Sequence, residues 1–238
     1  MDLKETQILG ENISEHWYYR SKAKAMASLL GKQSVLNILD VGAGSGFFSR
    51  YLLANTSAHT ACCVDISYPQ DNDDQEDGKS IAFRKSIAQS NADLVLLMDV
   101  LEHVKDDVGL LSSYVDKVPS GTRFLISVPA FEFLWSDHDV FLEHERRYRL
   151  EQVEQVAKSA GLKIEKAGYY FAAIFPIVAT IRLVLRKLWP RKKSAQSDLS
   201  PQHPLVNQIL STVCGLEVPL IGFNRLAGLT VFCLATKP

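Results

Sequence analysis

The sequence predicts an α/β protein: a parallel sheet with helices on both faces and a helical insertion before the last strand. Short apolar runs alternate with longer amphipathic stretches, which is typical of β-α-β units. A glycine-rich turn at 42–46 joins the first apolar run to a helix, and no internal repeat is present. The 238 residues, of which 47% are hydrophobic, suffice for one large core.

The predicted strands and helices follow in order along the chain. Five strands are expected at 35–41, 60–66, 81–84, 93–98 and 122–128. Helices are expected at 14–30, 47–54 and 103–117, the last one stopped by Pro119-Ser120-Gly121. A further helix ends at Ala160 before Gly161, and strands at 163–169 and 229–235 complete the pattern.

About sixty residues separate the last two predicted strands, which is long for an idle loop. They comprise an apolar segment at 169–189, a polar basic stretch at 190–204 and an apolar helix candidate at 205–216. We expect a helical cap within one domain spanning 1–238. Its parts are an N-terminal helix at 14–31, a cofactor-binding core at 32–169, the cap at 170–227 and a last strand at 228–238.

Charge and cysteine content narrow the function classes. Lys and Arg number 26 against 27 Asp and Glu, so the net charge of -1 gives no electrostatic basis for wrapping nucleic acid. The four cysteines lack metal-ligand spacing, and the neighbours Cys62 and Cys63 point to opposite faces of a strand. We expect free thiols and a cytoplasmic protein, because the N-terminus also lacks a secretory signal pattern.

The turn after the first strand is a candidate ligand cradle. Gly42, Gly44 and Gly46 leave the backbone bare, so a ligand can approach it closely. A dinucleotide fingerprint requires glycine at position 47, where this chain has Phe47. Asp40 stands two residues before the first glycine and suits a cationic ligand such as S-adenosylmethionine. Asp65, about twenty residues later, is placed to accept hydrogen bonds from ribose hydroxyls.

Several segments carry a resemblance to a known family. Residues 36–53 resemble motif I of the class I S-adenosylmethionine-dependent methyltransferases, and Asp99-Val100-Leu101-Glu102-His103-Val104 resembles a segment of ubiquinone-type and other small-molecule methyltransferases. His16-Trp17-Tyr18-Tyr19-Arg20 and several short segments within 127–148 resemble a bacterial branch associated with surface glycans. The resemblance covers most of 14–182.

This resemblance implies a Rossmann-like sheet with an antiparallel last strand, and S-adenosylmethionine as cofactor with S-adenosylhomocysteine as product. It places the methionine part on the glycine loop, the ribose at Asp65 and the sulfonium near Asp99; the adenine edge falls near Ser86. The implied cofactor-binding residues are Asp40, Gly42, Ala43, Gly44, Gly46, Asp65, Ile66, Ser86, Asp99, Val100, Trp17 and Arg20.

Three histidines follow strands at the edge of the sheet where open α/β sheets bind ligands. His103, His138 and His144 are therefore candidates for the base that takes a proton from a hydroxyl acceptor. His103 alternatively caps the helix at 103–117, and the residues around His144 alternatively form solvated ion pairs. The candidate acceptor-binding residues, which include a possible arginine fork for an anionic group, are Trp135, Arg146, Arg147 and Tyr148.

The expected function is methyl transfer to an oxygen of a small-molecule or lipid-linked acceptor. A non-catalytic S-adenosylmethionine-binding module and a nicotinamide-dependent oxidoreductase remain as alternatives. No metal site is expected, and the acidic stretch 71–77 is interpreted as a solvated loop. The apolar stretch 169–193 with its basic flank is too short to span a bilayer; it is either a core helix or a peripheral contact at the inner membrane face.

Overall fold

A computed structural model describes residues 13–31, 35–185 and 203–238. An eight-stranded sheet in the order β3-β4-β2-β1-β5-β6-β8-β7 organises these residues. Its strands are β1 Asn37–Val41, β2 Thr60–Val64, β3 Asn72–Glu76, β4 Lys79–Arg84, β5 Leu94–Met98, β6 Arg123–Pro129, β7 Lys163–Tyr170 and β8 Thr230–Thr236.

The seven α-helices in the described residues are α1 Trp17–Leu30, α2 Phe47–Asn55, α3 Asp107–Val115, α4 Asp137–Phe141, α5 Leu150–Ser159, α6 Phe175–Thr180 and α7 Pro204–Glu217. Two apolar cores lie on opposite faces of the sheet. One core contains residues of α1, α2 and α7, and the other contains residues of α3 and α5. Every residue of β5 is buried, as expected for a strand covered by helices on both faces.

The strand pairing confirms the predicted fold class. Five adjacent strands are parallel to one another, in the order β4-β2-β1-β5-β6. In contrast, β8 runs antiparallel to both β6 and β7. The carboxyl ends of the parallel strands therefore share one edge, where the glycine loop and the predicted histidines follow. The predicted absence of a Cys62–Cys63 disulfide is also confirmed, since all four thiols are free.

The interpretation of 71–77 as a solvated loop is wrong. Asn72–Glu76 forms the edge strand β3, which pairs antiparallel with β4 through a turn at Asp77-Gly78, where both φ angles are positive. Aspartate and glutamate are poor strand formers, but these side chains stay exposed and pair with cations. Arg50 binds Asp74 and Glu76 at 2.5 and 2.8 Å. The Asp-Gly dipeptide was the hairpin signal in the sequence.

The predicted helix at 103–117 begins later than expected. Leu101–His103 forms a separate 3-10 turn, and α3 starts at Asp107. The side chain of Asp106 caps α3 by accepting a hydrogen bond from the Gly109 amide at 2.8 Å. His103 is therefore not the cap of this helix, and the capping alternative for His103 is wrong.

The described part of the insertion is helical, as predicted. After β7 the chain forms α6, a π-helical turn at Ile181–Leu185, then α7 and a 3-10 turn at Val218–Leu220. The basic stretch at 190–202 lies outside the described residues. Asn207 ties α7 to the start of α1, because its side chain accepts from the Trp17 amide at 2.7 Å and donates to the Glu15 carbonyl at 2.8 Å. Within the described residues, no helix is both long and apolar enough to cross a membrane.

Candidate active site

The glycine loop between β1 and α2 brings bare backbone to the carboxyl edge of the sheet. Gly42, Gly44 and Gly46 all adopt positive φ angles, of 64°, 55° and 75°. The amides of Gly42 and Ala43 both donate to the Val64 carbonyl, at 2.7 and 3.2 Å. A Cβ at Gly42 would lie 2.8 Å from a methyl group of Val100, so only glycine fits there.

Two predicted carboxylates, Asp65 and Asp40, form hydrogen bonds that hold this loop and its flanking residues in place. Asp65 is buried at the end of β2, and its two oxygens accept from the Gly44 amide at 3.0 Å and the Ser67 amide at 2.9 Å. Asp40 is buried in β1 and accepts from the Ser49 hydroxyl at 2.8 Å. The Tyr68 hydroxyl donates to the Gly44 carbonyl at 2.7 Å. These bonds fix the loop in a conformation that presents backbone to a ligand.

Asp99 follows β5 with a φ angle of 57°, a conformation that non-glycine residues seldom adopt. Its carboxylate forms an ion pair with Lys22 of α1 and accepts from the Ser127 hydroxyl at 3.1 Å. The Lys22 side chain is fully buried. Burial opposes the charged form of Lys22, but the Asp99 carboxylate and Tyr18 outweigh burial and raise the pKa of the ammonium. Lys22 therefore remains a cation beside the predicted sulfonium position.

Sequence reasoning missed Lys22, although a signal was present. Lys22 stands among apolar residues on the face of α1 that also buries Tyr19, Met26 and Leu29. A lysine on the buried face of an amphipathic helix is rarely fully buried unless it is paired. A lysine at this position therefore predicts a buried anion that faces the helix, and Asp99 is that anion.

A cavity of about 470 Å³ has Asp99 among its lining residues. Its lining combines apolar residues with a polar end, where Glu102 lies close to Asp99 and His144. The apolar lining residues include Trp17, Leu142, Ile174, Ile177, Val178, Ile181, Leu210 and Leu229, and the polar ones are Asp99, Glu102, His138, His144, Arg147, Arg182 and Thr230. The cavity is thus suited to a ligand with an apolar body and a polar end.

The structure brings His103 and His144 together with a residue that was not predicted, Glu102. The two imidazole rings are 4.7 Å apart and nearly perpendicular. Burial and the neighbouring His144 lower the pKa of His103 to about 4, so this ring is neutral at physiological pH. Glu102 is completely buried, and burial together with the nearby Asp99 carboxylate raises the pKa of its carboxyl group well above its usual value. His138 lines the same cavity, on α4.

The arginines predicted to bind an anionic acceptor have partners inside the protein. Arg147 donates to both oxygens of Asp139, at 2.7 and 2.9 Å, and His144 lies 2.9 Å from the same carboxylate. Arg146 reaches Asp107 at 3.4 Å, and the buried Tyr148 hydroxyl donates to Asp107 at 2.7 Å. Arg147 also lines the cavity, so its assignment as an acceptor contact stays a prediction.

The remaining predicted residues spread around the edge of the sheet. Trp17 lines the cavity and packs edge-on against Phe171 at 5.7 Å. Ile66 is 90% exposed just beyond β2, and Ser86 is exposed beyond β4. Arg20 is exposed on α1, and Trp135 is half-buried before α4. The structure therefore places Trp17 in the wall of the 470 Å³ cavity and not among the residues that line the cleft at the glycine loop.

The chain matches a profile described as a methyltransferase domain over residues 14–167, well over half of its length. The chain belongs to this methyltransferase domain family. The family match confirms the class I methyltransferase resemblance and S-adenosylmethionine as cofactor, and it favours this class over the nicotinamide-dependent alternative. No curated protein matches the chain.

Solved structures with the same fold are distant in sequence. An S-adenosylmethionine-dependent methyltransferase from Archaeoglobus fulgidus is 15% identical, with a TM-score of 0.54, and the match covers 99% of this chain and 98% of that one. Phosphoethanolamine N-methyltransferase 2 of Haemonchus contortus, in complex with S-adenosyl-L-methionine, is 17% identical with a TM-score of 0.57, covering 98% and 56%. The [4+2]-cyclase SpnF is 12% identical with a TM-score of 0.54, covering 92% and 80%. The likeness to these structures concerns the fold alone.

Proposed function

We propose that the protein transfers the methyl group of S-adenosylmethionine to an oxygen of an amphipathic acceptor, either a small molecule or a lipid-linked compound. The observation that carries this proposal is the 470 Å³ cavity, which shares Asp99 with the cleft above the glycine loop. A methyl group carried on a sulfonium near Asp99 would face the polar end of this cavity. Methyl transfer is an in-line displacement, so this shared wall supplies the alignment that the reaction needs.

The cofactor half of the site is assigned to the glycine loop and its carboxylates. The backbone of 42–46 would lie against the methionine part, Asp65 would accept from the ribose hydroxyls, and Asp40 would add negative charge near the cofactor's ammonium group. The cleft at the loop is lined by Tyr19 of α1 and Phe48 of α2 in addition to Asp40, Gly42 and Asp99.

The acceptor half is assigned to the cavity wall. Ile177, Ile181 and the other apolar lining residues would hold the acceptor's body, and its hydroxyl would lie among Asp99, His138 and His144. The His138 imidazole would take the hydroxyl proton as the oxygen attacks the methyl carbon. The bond from carbon to sulfur then breaks, and its electron pair stays on the sulfur of S-adenosylhomocysteine.

Transfer of a labelled methyl group tests the proposal directly. The protein is incubated with methyl-labelled S-adenosylmethionine and separate aqueous and lipid extracts, and the label is traced to one compound. Label in an organic-soluble or amphipathic product, with loss of transfer by Asp65→Ala, supports the proposal. Asp73→Ala is the matched control, because Asp73 is an exposed aspartate whose partner is Arg84.

Two results would count against it. Undiminished cofactor binding by Asp65→Ala in calorimetry would overturn the ribose assignment. Cofactor binding without transfer to any fraction would instead favour a non-catalytic binding module.

A second proposal concerns the location of the protein: the cap makes peripheral contact with an anionic membrane surface through 169–193. Exposed apolar side chains on this segment favour it, namely Ile177, Ile181, Leu183 and Val184. Arg182 lies on the same segment, and the sequence adds five further basic residues at 186–193, of which the structure describes none. Each lysine or arginine near an anionic surface contributes on the order of 1 kcal/mol.

Vesicle sedimentation tests the membrane proposal. Binding to vesicles with phosphatidylserine should exceed binding to neutral vesicles and should decrease as salt is added. Ile177→Asp combined with Val184→Asp should reduce it, whereas Leu226→Asp, at an even more exposed apolar residue outside this segment, should not. Equal sedimentation with neutral and anionic vesicles would refute the electrostatic part.

A further inference from the structure

We propose that Glu102, His103 and His144 form a binding site for a divalent transition-metal ion at the polar end of the acceptor cavity. These three residues each offer one ligand atom, and the three atoms lie within 4.8 Å of one another. No metal site was expected from the sequence, in which residues 102–103 and 144 stand far apart. The fold joins them: the Glu145 amide donates to the Glu102 carbonyl at 2.7 Å and holds the two loops together.

The proposed ligand atoms are buried polar atoms without hydrogen-bond partners. Both carboxylate oxygens of Glu102 and the Nε2 atoms of His103 and His144 are buried and have no hydrogen-bond partner. Glu102 is 0% exposed. Buried polar groups in folded proteins nearly always have partners, because leaving them without any is costly. Three such groups facing one point indicate a missing common partner, and a cation satisfies all of them at once.

Each of the two imidazole rings is held by a hydrogen bond to a neighbouring group. His144 Nδ1 lies 2.9 Å from Asp139, whose carboxylate Arg147 keeps charged and thus able only to accept. The His103 ring bonds to the backbone of Glu143, whose φ angle of 61° marks a constrained turn. Histidines that bind metals typically donate their second nitrogen to a carboxylate or a backbone carbonyl. Both rings therefore keep a lone pair on Nε2 for an ion.

The donor set selects the kind of ion. Two imidazoles and one carboxylate are the ligands of catalytic zinc sites and of non-haem iron sites. Magnesium and calcium prefer sets made only of oxygen atoms. Because three protein ligands leave further positions of the ion open, and because Glu102 and His144 line the cavity, an open position would face the acceptor. A role in binding the acceptor oxygen rests on the proposed function, whereas the ion site itself does not.

Cobalt titration tests the site without any assay of activity. The full chain is treated with a chelator and then titrated with Co²⁺, while calorimetry and the visible ligand-field spectrum are recorded. We expect one ion per chain. Glu102→Gln, His103→Gln and His144→Ala should each weaken binding by more than the roughly 10- to 100-fold that loss of an outer partner costs. His59→Ala and Glu151→Gln, at exposed positions elsewhere, are the matched controls and should bind as the wild type does.

S-adenosylhomocysteine binding is measured on the same samples, so that a failed metal site and a failed cofactor site give different results. A variant that no longer binds S-adenosylhomocysteine is set aside as misfolded, and the conservative Glu102→Gln and His103→Gln variants then decide. Absence of stoichiometric Co²⁺ binding by the wild type would overturn the proposal. So would a wild-type spectrum retained by the ligand variants, or displacement of Co²⁺ by an equal concentration of Mg²⁺.

Discussion

The two halves of the candidate active site are built in opposite ways. The proposed cofactor half consists of backbone from one short stretch, 40–46, whose amides donate to the Val64 carbonyl and the Asp65 carboxylate. The acceptor half consists of side chains from α1, the turn after β5, α4 and the residues after it, α6, α7 and the segment before β8. Backbone contacts fix one ligand shape, whereas a wall of side chains can change without disturbing the fold. We therefore expect the cofactor half to be common to the family and the acceptor half to select the individual substrate.

The ion pair between Lys22 and Asp99 stands where the two halves meet, and its removal should have the largest effect. Lys22→Met leaves the Asp99 carboxylate, which is 15% exposed, without its cation. Removal of one partner from a buried pair costs about 3–5 kcal/mol, so the free energy of unfolding should fall by that amount in chemical denaturation. Adding Asp99→Asn should recover much of the loss. If Lys22→Met alone lowered the free energy of unfolding by less than about 1 kcal/mol, the ion pair would contribute no more than a solvent-exposed pair does.

The rigidity of the cofactor half is tested by Gly42→Ala. The new Cβ would lie 2.8 Å from Val100 in a residue with a φ angle of 64°. Such strain costs about 1–3 kcal/mol, which corresponds to roughly 5- to 150-fold weaker cofactor binding in calorimetry if the loop must hold its shape. Gly121→Ala is the matched control, because Gly121 also has a positive φ angle but nothing within 4 Å of the new Cβ. Equal cofactor affinity in both variants would contradict the close-approach argument.

The tolerance of the acceptor half is tested by Ile177→Asp. Ile177 is 61% exposed and lines the cavity. Stability should change by less than about 0.5 kcal/mol, as is usual for surface positions. The KM for an apolar acceptor should rise about tenfold, because about 1.4 kcal/mol of apolar contact is lost. Leu226→Asp, at 90% exposure outside the cavity, should leave KM unchanged. An altered affinity for S-adenosylmethionine in Ile177→Asp would show that the halves are not independent.

The smallest effect is expected for Glu154, which belongs to neither half. Its hydrogen bond with Arg225, at 2.8 Å, lowers the pKa of the Glu154 carboxyl group. Because the pKa is lower in the folded protein, the ionised carboxylate stabilises the fold at pH values above the pKa of the unfolded chain, about 4.3. This stability is lost as the pH falls through the pKa of the folded protein. Glu154→Gln should therefore cost about 0.2–1 kcal/mol at neutral pH. The cost should decrease as the pH falls through the folded pKa of Glu154, and denaturation curves at neutral and acidic pH provide the measurement. A difference that does not change with pH would point to lost packing instead.

Particular residues show which features of the fold and the site could be predicted from the sequence. The central strands were predictable because their apolar runs are uninterrupted. The glycine loop was predictable because its three glycines and Asp40 fall within seven residues. β3 was missed because its acidic residues have low strand propensity, although the Asp77-Gly78 turn was a signal. Lys22 was missed because its anion stands 77 residues away in the sequence, and no local pattern connects them.

The fold class, the cofactor and the side of the sheet where the site lies followed from the sequence alone, because each depends on a local pattern of hydrophobicity or on the alternating glycines of one short loop. The tertiary structure decided which charged groups meet. It pairs Lys22 with Asp99 and Arg147 with Asp139, and it collects Glu102 with two histidines. Those encounters depend on how loops after neighbouring strands turn toward one another, which follows from the packing of helices and sheet rather than from the spacing of residues.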